Sequence, residues 1–260
     1  MICAGIDAGS RAIKVVLVDS DSGKIVAKGL TDQGVYQDKI ARELFENVLK
    51  ENKILRKDVG RIVATGYGRN IVSVADSAVT EITCQAVGAG RLTPDAKTVI
   101  DIGGQDSKII CLDGRGLVRD FVMNDRCAAG TGRFLEIIAS RLAVEIDSLG
   151  RLAQKSRNPA LISSMCVVFA ETEIIGLLAS GKQIEDIVAG VQAAVASRIS
   201  AMAGQNIASP VVFTGGVAMI KGMDAALAAA LGKKVQVSKD PQMTCALGAA
   251  ILAGRQYVKS

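Results

Sequence analysis

From Met1 to Gly29 the chain reads MICAGIDAGSRAIKVVLVDSDSGKIVAKG. Apolar runs cut by Asp and Gly predict strand, tight turn, strand, a second turn at Ser22-Gly23 and a third strand, an antiparallel meander. Between Asp38 and Asn52, Ile40, Leu44, Val48 and Leu49 recur at helical spacing. RIVATGYG, residues 61–68, reads as a short strand running into a glycine loop, and Val72 to Arg91 reads as helix. At KTVIDIGGQDSKIICLDGRG, residues 97–116, the strand-turn-strand pattern returns with Asp, Gly and a following Lys in similar places. Helical patterns then occupy stretches near 131–142, 166–180 and 184–205. The apolar strand VVFTGGV follows at 211–217, then a last strand KVQVS at 234–238 and a final helix from about Cys245.

The return of the opening pattern organises the chain. Ile6-Asp7-Ala8-Gly9-Ser10 and Ile100-Asp101-Ile102-Gly103-Gly104 each drive an apolar strand into a glycine turn behind an Asp, so the sequence reads as two related halves. At 260 residues it is long enough for two lobes, each with a core. With 49% hydrophobic residues, 3% aromatics and no Trp, that core must rest on Val, Ile, Leu and Ala, which suits parallel strands flanked by helices. The expected class is therefore α/β. The formal charge of +5 is dispersed, with no basic tract interleaved with aromatics, so no nucleic-acid partner is expected. Neither a membrane-length apolar run nor a leader pattern stands in the sequence, so no membrane partner and a cytoplasmic location are expected.

Histidine is absent, which removes the commonest acid-base catalyst and the commonest zinc ligand together. Any metal must sit on thiolates or carboxylates. The six cysteines at 3, 84, 111, 127, 166 and 245 are too dispersed for a disulfide framework, and are free, buried or metal-bound.

A glycine turn at a strand end lets backbone N–H groups approach phosphate oxygens, and a neighbouring carboxylate can hold magnesium directly or through water. Asp7-Ala8-Gly9-Ser10 offers this once, Asp101-Ile102-Gly103-Gly104-Gln105-Asp106 again, and Thr214-Gly215-Gly216-Val217 gives a third glycine turn. A single such turn is usually only structural; three in order, two with an Asp, point to a nucleotide. The Walker A pattern is absent and no GxGxxG follows the first strand, so P-loop and Rossmann readings fail.

In this arrangement the sequence resembles the superfamily of actin, sugar kinases and heat-shock chaperone ATPases. Asp7 to Lys14 is similar to its first phosphate motif, Asp101 to Asp106 to its second, and Phe213 to Ala218 to its adenosine motif. Residues 80–86 (TEITCQA) and 246–250 (ALGAA) are similar to its two connecting helices. The resemblance implies a duplicated, ribonuclease H-like two-lobed fold with the nucleotide in a cleft between the lobes. Residues 1–95, joined by the C-terminal helix 246–260, would form one lobe, and 96–245 the other. It further implies that Asp7 and Asp101 position magnesium and the attacking water, with magnesium on Asp7 through water. Ala8, Gly9, Ser10, Lys14, Gly103, Gly104, Gln105 and Asp106 would line the phosphates, and Gly215, Gly216 and Val217 the adenosine. Glu81 or Gln105 would orient the water. Such chemistry rests on positioning and electrostatics, so the lack of histidine is no obstacle.

Two cysteines stand apart. Cys127 lies in NDRCAAGTGRF and Cys166 in SSMCVVFAE, each followed by a helical pattern, Phe134, Ile137, Ile138 and Leu142 in one case, Phe169, Ile174, Leu177 and Leu178 in the other. Both are expected at or just before a helix N-terminus, where partial positive charge and free N–H groups favour a thiolate or an anionic cluster. Taken singly, each also fits an inert small core residue, and Cys3, Cys84, Cys111 and Cys245 are assigned there. A 4Fe-4S cluster takes four thiolates, so two per chain would imply a twofold homodimer with one cluster on its axis.

NDRCAAGTGRF, SSMCVVFAE, ATGYGRN and DIGGQDSK together resemble the activators of the 2-hydroxyacyl-CoA dehydratases. That group also includes the ATPase subunits of benzoyl-CoA reductase and the reductases of double-cubane cluster proteins. The resemblance implies ATP and ADP as nucleotides, magnesium, and one 4Fe-4S cluster per homodimer held by Cys127 and Cys166 of both chains. It implies electron transfer to an iron–sulfur acceptor, namely a dehydratase, an aryl-CoA reductase subunit or a double-cubane protein, with a donor such as ferredoxin or flavodoxin. The rivals are a small-molecule kinase of the same superfamily, with Asp101 as base, and a chaperone-like or actin-like interaction ATPase. Neither rival accounts for the paired cysteines.

Overall fold

The computed structural model describes residues 1–164, 166–204 and 207–257. Met165 of the SSMCVVFAE motif, Gln205 of the expected 184–205 helix and residues 258–260 of the expected last helix lie outside the described residues. Two compact units are present: one built from Met1–Ala96, Leu112–Arg119 and the chain from Ser238 on, the other from Lys97–Cys111 and Asp120–Val237.

The first unit holds a sheet of order β3-β2-β1-β4-β5, with β1 Ile2–Ala8, β2 Ala12–Asp19, β3 Ile25–Asp32, β4 Val59–Thr65 and β5 Ser77–Ala78. β1 pairs antiparallel with β2 and parallel with β4. Its last six residues are all buried, as expected of a central strand covered on both faces. Helices α1 Gln37–Glu51, α2 Glu81–Leu92 and α8 Thr244–Tyr257 belong to the same unit. The second unit repeats the plan in a sheet of order β10-β9-β6-β7-β8, with β6 Thr98–Ile102, β7 Ser107–Leu112, β8 Val118–Asn124, β9 Val211–Thr214 and β10 Val235–Val237. Here β6 pairs antiparallel with β7 and parallel with β9. Its helices are α3 Gly132–Arg141, α4 Leu149–Ala153, α5 Val167–Ala179, α6 Ile184–Ala203 and α7 Met223–Leu231. A core of aliphatic residues with Phe134 and Phe213 joins them to the sheet. No helix among the described residues is long and apolar enough to cross a membrane.

The registers make the duplication concrete. Asp7 faces Lys14 across the first hairpin, and Asp101 faces Lys108 across the second. Each hairpin therefore closes on a carboxylate and an ammonium at its turn end.

Two expectations are corrected. The helix expected over 72–91 begins only at Glu81. The carboxylate of Asp76 accepts the Ile62 backbone N–H at 2.7 Å, drawing this segment alongside β4, where Ser77–Ala78 pairs as β5. Thr80 then caps the helix through its hydroxyl, which accepts from the Thr83 N–H at 3.4 Å. The strand expected over 211–217 ends at Thr214 because Gly215 turns to φ +88 and residues 216–219 form a short 3₁₀ turn. Four elements were not foreseen: β5, the edge strand β8, whose residues 119–122 are all exposed, and the short helices α4 and α7.

Helices α2 and α8 meet at glycines. A Cβ on Gly248 would overlap the Cys84 carbonyl oxygen, and one on Gly88 the Thr244 carbonyl oxygen, so the backbones touch where no side chain fits. Gly248→Ala should therefore destabilise the fold by about 3 kcal/mol, the upper end for overpacking, because backbone and not a flexible side chain must move. Urea unfolding of the variant against the parent measures this.

Candidate functional site

In the first unit the site grows from the end of β1. Asp7 is buried, and its Oδ2 lies 3.1 Å from Lys14 Nζ. Ala8 ends the strand, and Gly9 and Ser10 form the half-buried turn that leads into β2. The glycine loop after β4 closes on this turn: Gly68 N–H donates to the Ala8 carbonyl at 2.9 Å, and a Cβ on Gly66 would overlap Asp7 Oδ1. Glu81 is the first residue of α2, and its carbonyl accepts from the Cys245 thiol at 3.8 Å. Burial pushes the Cys84 thiol up to about 11; a Thr65 hydrogen bond opposes this, and the negative fields of Asp7 and Glu81 add to it. Cys84 therefore stays a protonated thiol beside both carboxylates.

In the second unit two glycine turns and the start of α3 meet. Asp101, one residue before the end of β6, has Oδ1 accepting from the Thr214 hydroxyl at 2.9 Å and Oδ2 standing 3.6 Å from Lys108 Nζ. Lys108, buried, also reaches Asp106 Oδ1 at 2.7 Å. One buried ammonium thus neutralises part of a half-buried carboxylate pair. Gly103 N–H donates to the Asp106 carbonyl at 2.9 Å and closes the turn, leaving Gln105 exposed at its tip and Gly104 half-buried. Gly215 packs against the Ile102 carbonyl in a φ of +88, a position that a side chain would obstruct twice over. Gly216 and the buried Val217 open the 3₁₀ turn beyond it. The N-terminus of α3 joins the same place, for Gly132 N–H donates to the Gly103 carbonyl at 2.8 Å and Arg133 N–H to the Gly104 carbonyl at 2.7 Å.

Sequence reasoning marked Lys108 as a recurring lysine and Thr214 as the head of a glycine turn, but gave neither a partner and did not join Gly132 to this constellation. Lys108 had a legible signal, since it follows Asp101 at the interval that separates Lys14 from Asp7. Gly132 had none, because its contact with Gly103 is tertiary.

The cysteines divide by environment. Cys3, Cys84 and Cys111 are buried and Cys245 is half-buried, whereas Cys127 and Cys166 are exposed. Burial also pushes the Cys3 thiol up, against a weaker lowering by Arg61. Cys166 is the N-cap residue of α5. Cys127 departs from expectation: α3 begins at Gly132 with Thr131 as its N-cap, so a turn separates Cys127 from the helix. That turn is held by side chains. Asn124 Nδ2 donates to the carbonyls of Cys127 at 2.8 Å and Ala129 at 2.9 Å, and the Thr131 hydroxyl donates to the Ala128 carbonyl at 2.7 Å. On the Cys166 side, Glu173 Oε1 accepts from both the N–H and the hydroxyl of Ser163, and Oε2 from the Ser164 N–H, all at 2.9 Å. Burial raises the Glu173 carboxyl, but these hydrogen bonds outweigh it and hold the group below its ordinary value. Of the α5 side chains, Ile174 is buried while Val168, Phe169 and Ile175 are exposed.

Two sheets of one plan, each delivering an Asp into a glycine turn, define an α/β ATPase of the two-lobed actin-like kind. The chain matches the BadF/BadG/BcrA/BcrD ATPase family over residues 4–253, and it belongs to that family. It is 43% identical over 257 residues to the (R)-2-hydroxyglutaryl-CoA dehydratase activating ATPase of Acidaminococcus fermentans, covering 98% of each chain. It is 41% identical over 254 residues to the 2-hydroxyisocaproyl-CoA dehydratase activator of Clostridioides difficile, covering 97% of this chain and 95% of that one. The solved structure of the Clostridium difficile activator with bound ADPNP superposes with a TM-score of 0.94 at 39% identity, over 100% of this chain and 96% of that one.

Proposed function

We propose that this chain is an ATP-driven activator that passes a low-potential electron to an iron–sulfur partner enzyme. The observation that carries the reading is the joint between the Gly103–Gly104 turn and the start of α3, immediately after the loop that presents Cys127. A change at the phosphate turn is thereby passed by two hydrogen bonds to the segment that holds a metal-binding thiol.

The nucleotide reading rests on three glycine turns. Asp7 holds magnesium through water, with Ser10, Gly9 and Lys14 at the phosphates. Gly103, Gly104, Gln105 and Asp106 offer the second phosphate turn, and Gly215, Gly216 and Val217 the adenosine turn. Asp101 orients the attacking water with its carboxylate fixed by Thr214 and Lys108, and Glu81 or Gln105 completes its hydrogen bonding. The lobes divide near residues 95 and 245.

For the metal, the donor set supports the reading. Exposed thiols at Cys127 and Cys166, with no histidine in the chain, suit iron–sulfur ligation and exclude imidazole ligation. Two thiolates meet half the need of a 4Fe-4S cluster, so a second copy of the chain supplies the other two. The exposed Val168, Phe169 and Ile175 beside Cys166 support such a homodimer. When bound, the cluster supplies a one-electron donor whose potential depends on its hydrogen bonds and exposure. The relatives' names favour a 2-hydroxyacyl-CoA dehydratase as acceptor over an aryl-CoA reductase subunit or a double-cubane protein. Ferredoxin or flavodoxin is the donor, and the setting is the cytoplasm.

The reading is tested by mixing the dithionite-reduced, desalted protein with an oxidised 2-hydroxyacyl-CoA dehydratase. Reduction of the dehydratase that needs MgATP is expected. Phosphate transfer from ATP to a hydroxyl compound, with no electron transfer, would replace the reading by a kinase.

A further inference from the structure

The two cysteine-bearing loops come from distant parts of the sequence, yet each is held in the same manner. In the first, the amide of Asn124, the last residue of β8, spends both N–H groups on the carbonyls of Cys127 and Ala129, spanning the thiol-bearing turn. In the second, Glu173, two turns into α5, reaches back past the N-terminus of its own helix. Its two oxygens accept three hydrogen bonds from Ser163 and Ser164, the residues that lead to Cys166. Both residues are half-buried, and one bond of each, Asn124 to the Ala129 carbonyl and the Ser164 N–H to Glu173, is shielded in part from water. Asn124 commits its Nδ2 and Glu173 both its carboxylate oxygens to neighbouring backbone and hydroxyl groups, so what each fixes is backbone next to a thiol.

We propose that Asn124 and Glu173 are positioning residues for the metal-binding thiols, each locking one cysteine loop in the geometry that iron–sulfur ligation requires. The inference rests on the cluster reading above. A thiolate ligand on a loose exposed loop would be free to leave, whereas fixing the backbone next to it lowers the cost of ordering it when metal binds. The Thr131–Ala128 hydrogen bond tightens the Cys127 turn further but reaches neither the Cys127 carbonyl nor its N–H, so Asn124 has no substitute there.

Outer residues that orient metal ligands typically change metal retention by about 10- to 100-fold when replaced. Asn124→Asp keeps the shape and removes both donors, and Glu173→Ala removes all three acceptor contacts. Glu173→Gln retains one carbonyl oxygen, enough for the two Ser163 bonds. The full chain and these variants are reconstituted anaerobically with iron and sulfide, and iron release to a chelator is followed without nucleotide. Iron should leave Asn124→Asp and Glu173→Ala about 10- to 100-fold faster than the parent, with Glu173→Gln between them. Thermal midpoints and ADP affinities of the iron-free proteins should stay together, which a general loss of structure would not allow. Release rates equal to the parent's in all three variants overturn the inference while leaving the cluster reading intact. A parent that takes up no iron overturns both. If Glu173→Ala fails to fold, Glu173→Gln and Asn124→Asp carry the same comparison.

Discussion

Replacing Cys127 by serine is expected to leave a folded, ATP-binding protein that holds no iron. Serine's hydroxyl does not ionise near neutral pH and is a harder donor than thiolate, so it does not sustain iron–sulfur ligation. In a twofold assembly one substitution removes two of four ligands, and the remaining pair cannot close a 4Fe-4S cluster. The fold should survive because Cys127 is exposed and its loop is held by Asn124 and Thr131, not by the thiol. Iron should fall from about four per dimer to background, and transfer to the acceptor should disappear with it. Cys166→Ser should behave alike, while Cys245→Ser, in a half-buried helix position, should keep its iron. A Cys127→Ser protein with full iron and sulfide would defeat the ligand assignment.

Asp101→Asn should do the converse. Asparagine can still accept the Thr214 hydroxyl, and Lys108 keeps Asp106 at 2.7 Å, so the turn should hold its form. What is lost is the negative charge that the proposed function assigns to orienting the attacking water. Removing a preorganised group of that kind typically lowers turnover by about 10²- to 10³-fold. ATP hydrolysis and ATP-driven transfer should both fall by that factor while the iron content stays unchanged. A variant that hydrolyses ATP at the parent's rate would exclude Asp101 from the role. Together the two substitutions separate the nucleotide chemistry from the metal site.

Much of this was legible because the decisive elements are buried and repeated. β1 and β6 announce themselves as apolar runs ending in Asp and Gly, and the equal Asp7–Lys14 and Asp101–Lys108 intervals reflect one hairpin built twice. The segment 72–80 misled because Val72, Val74 and Ala75 sit at spacing a helix tolerates, while Asp76 commits it to the sheet through a contact with Ile62 that no local pattern reveals. β8 escaped for the opposite reason: Arg119, Asp120, Phe121 and Val122 are all exposed, so the strand carries no buried face to set a period. Phe169, which completes a plausible helical pattern after Cys166, is 67% exposed. Sequence periodicity marks an apolar stripe but not what covers it. The loop of Gly66 and Gly68 over Asp7, and that of Gly132 on Gly103, belong to the site only through folding.

The central claim, a cluster shared through Cys127 and Cys166, is tested most directly by anaerobic purification followed by iron and sulfide analysis with a visible spectrum. About four iron and four sulfide per dimer, with broad thiolate-to-iron absorption, is the predicted result. A colourless protein that remains iron-free after anaerobic reconstitution would contradict it.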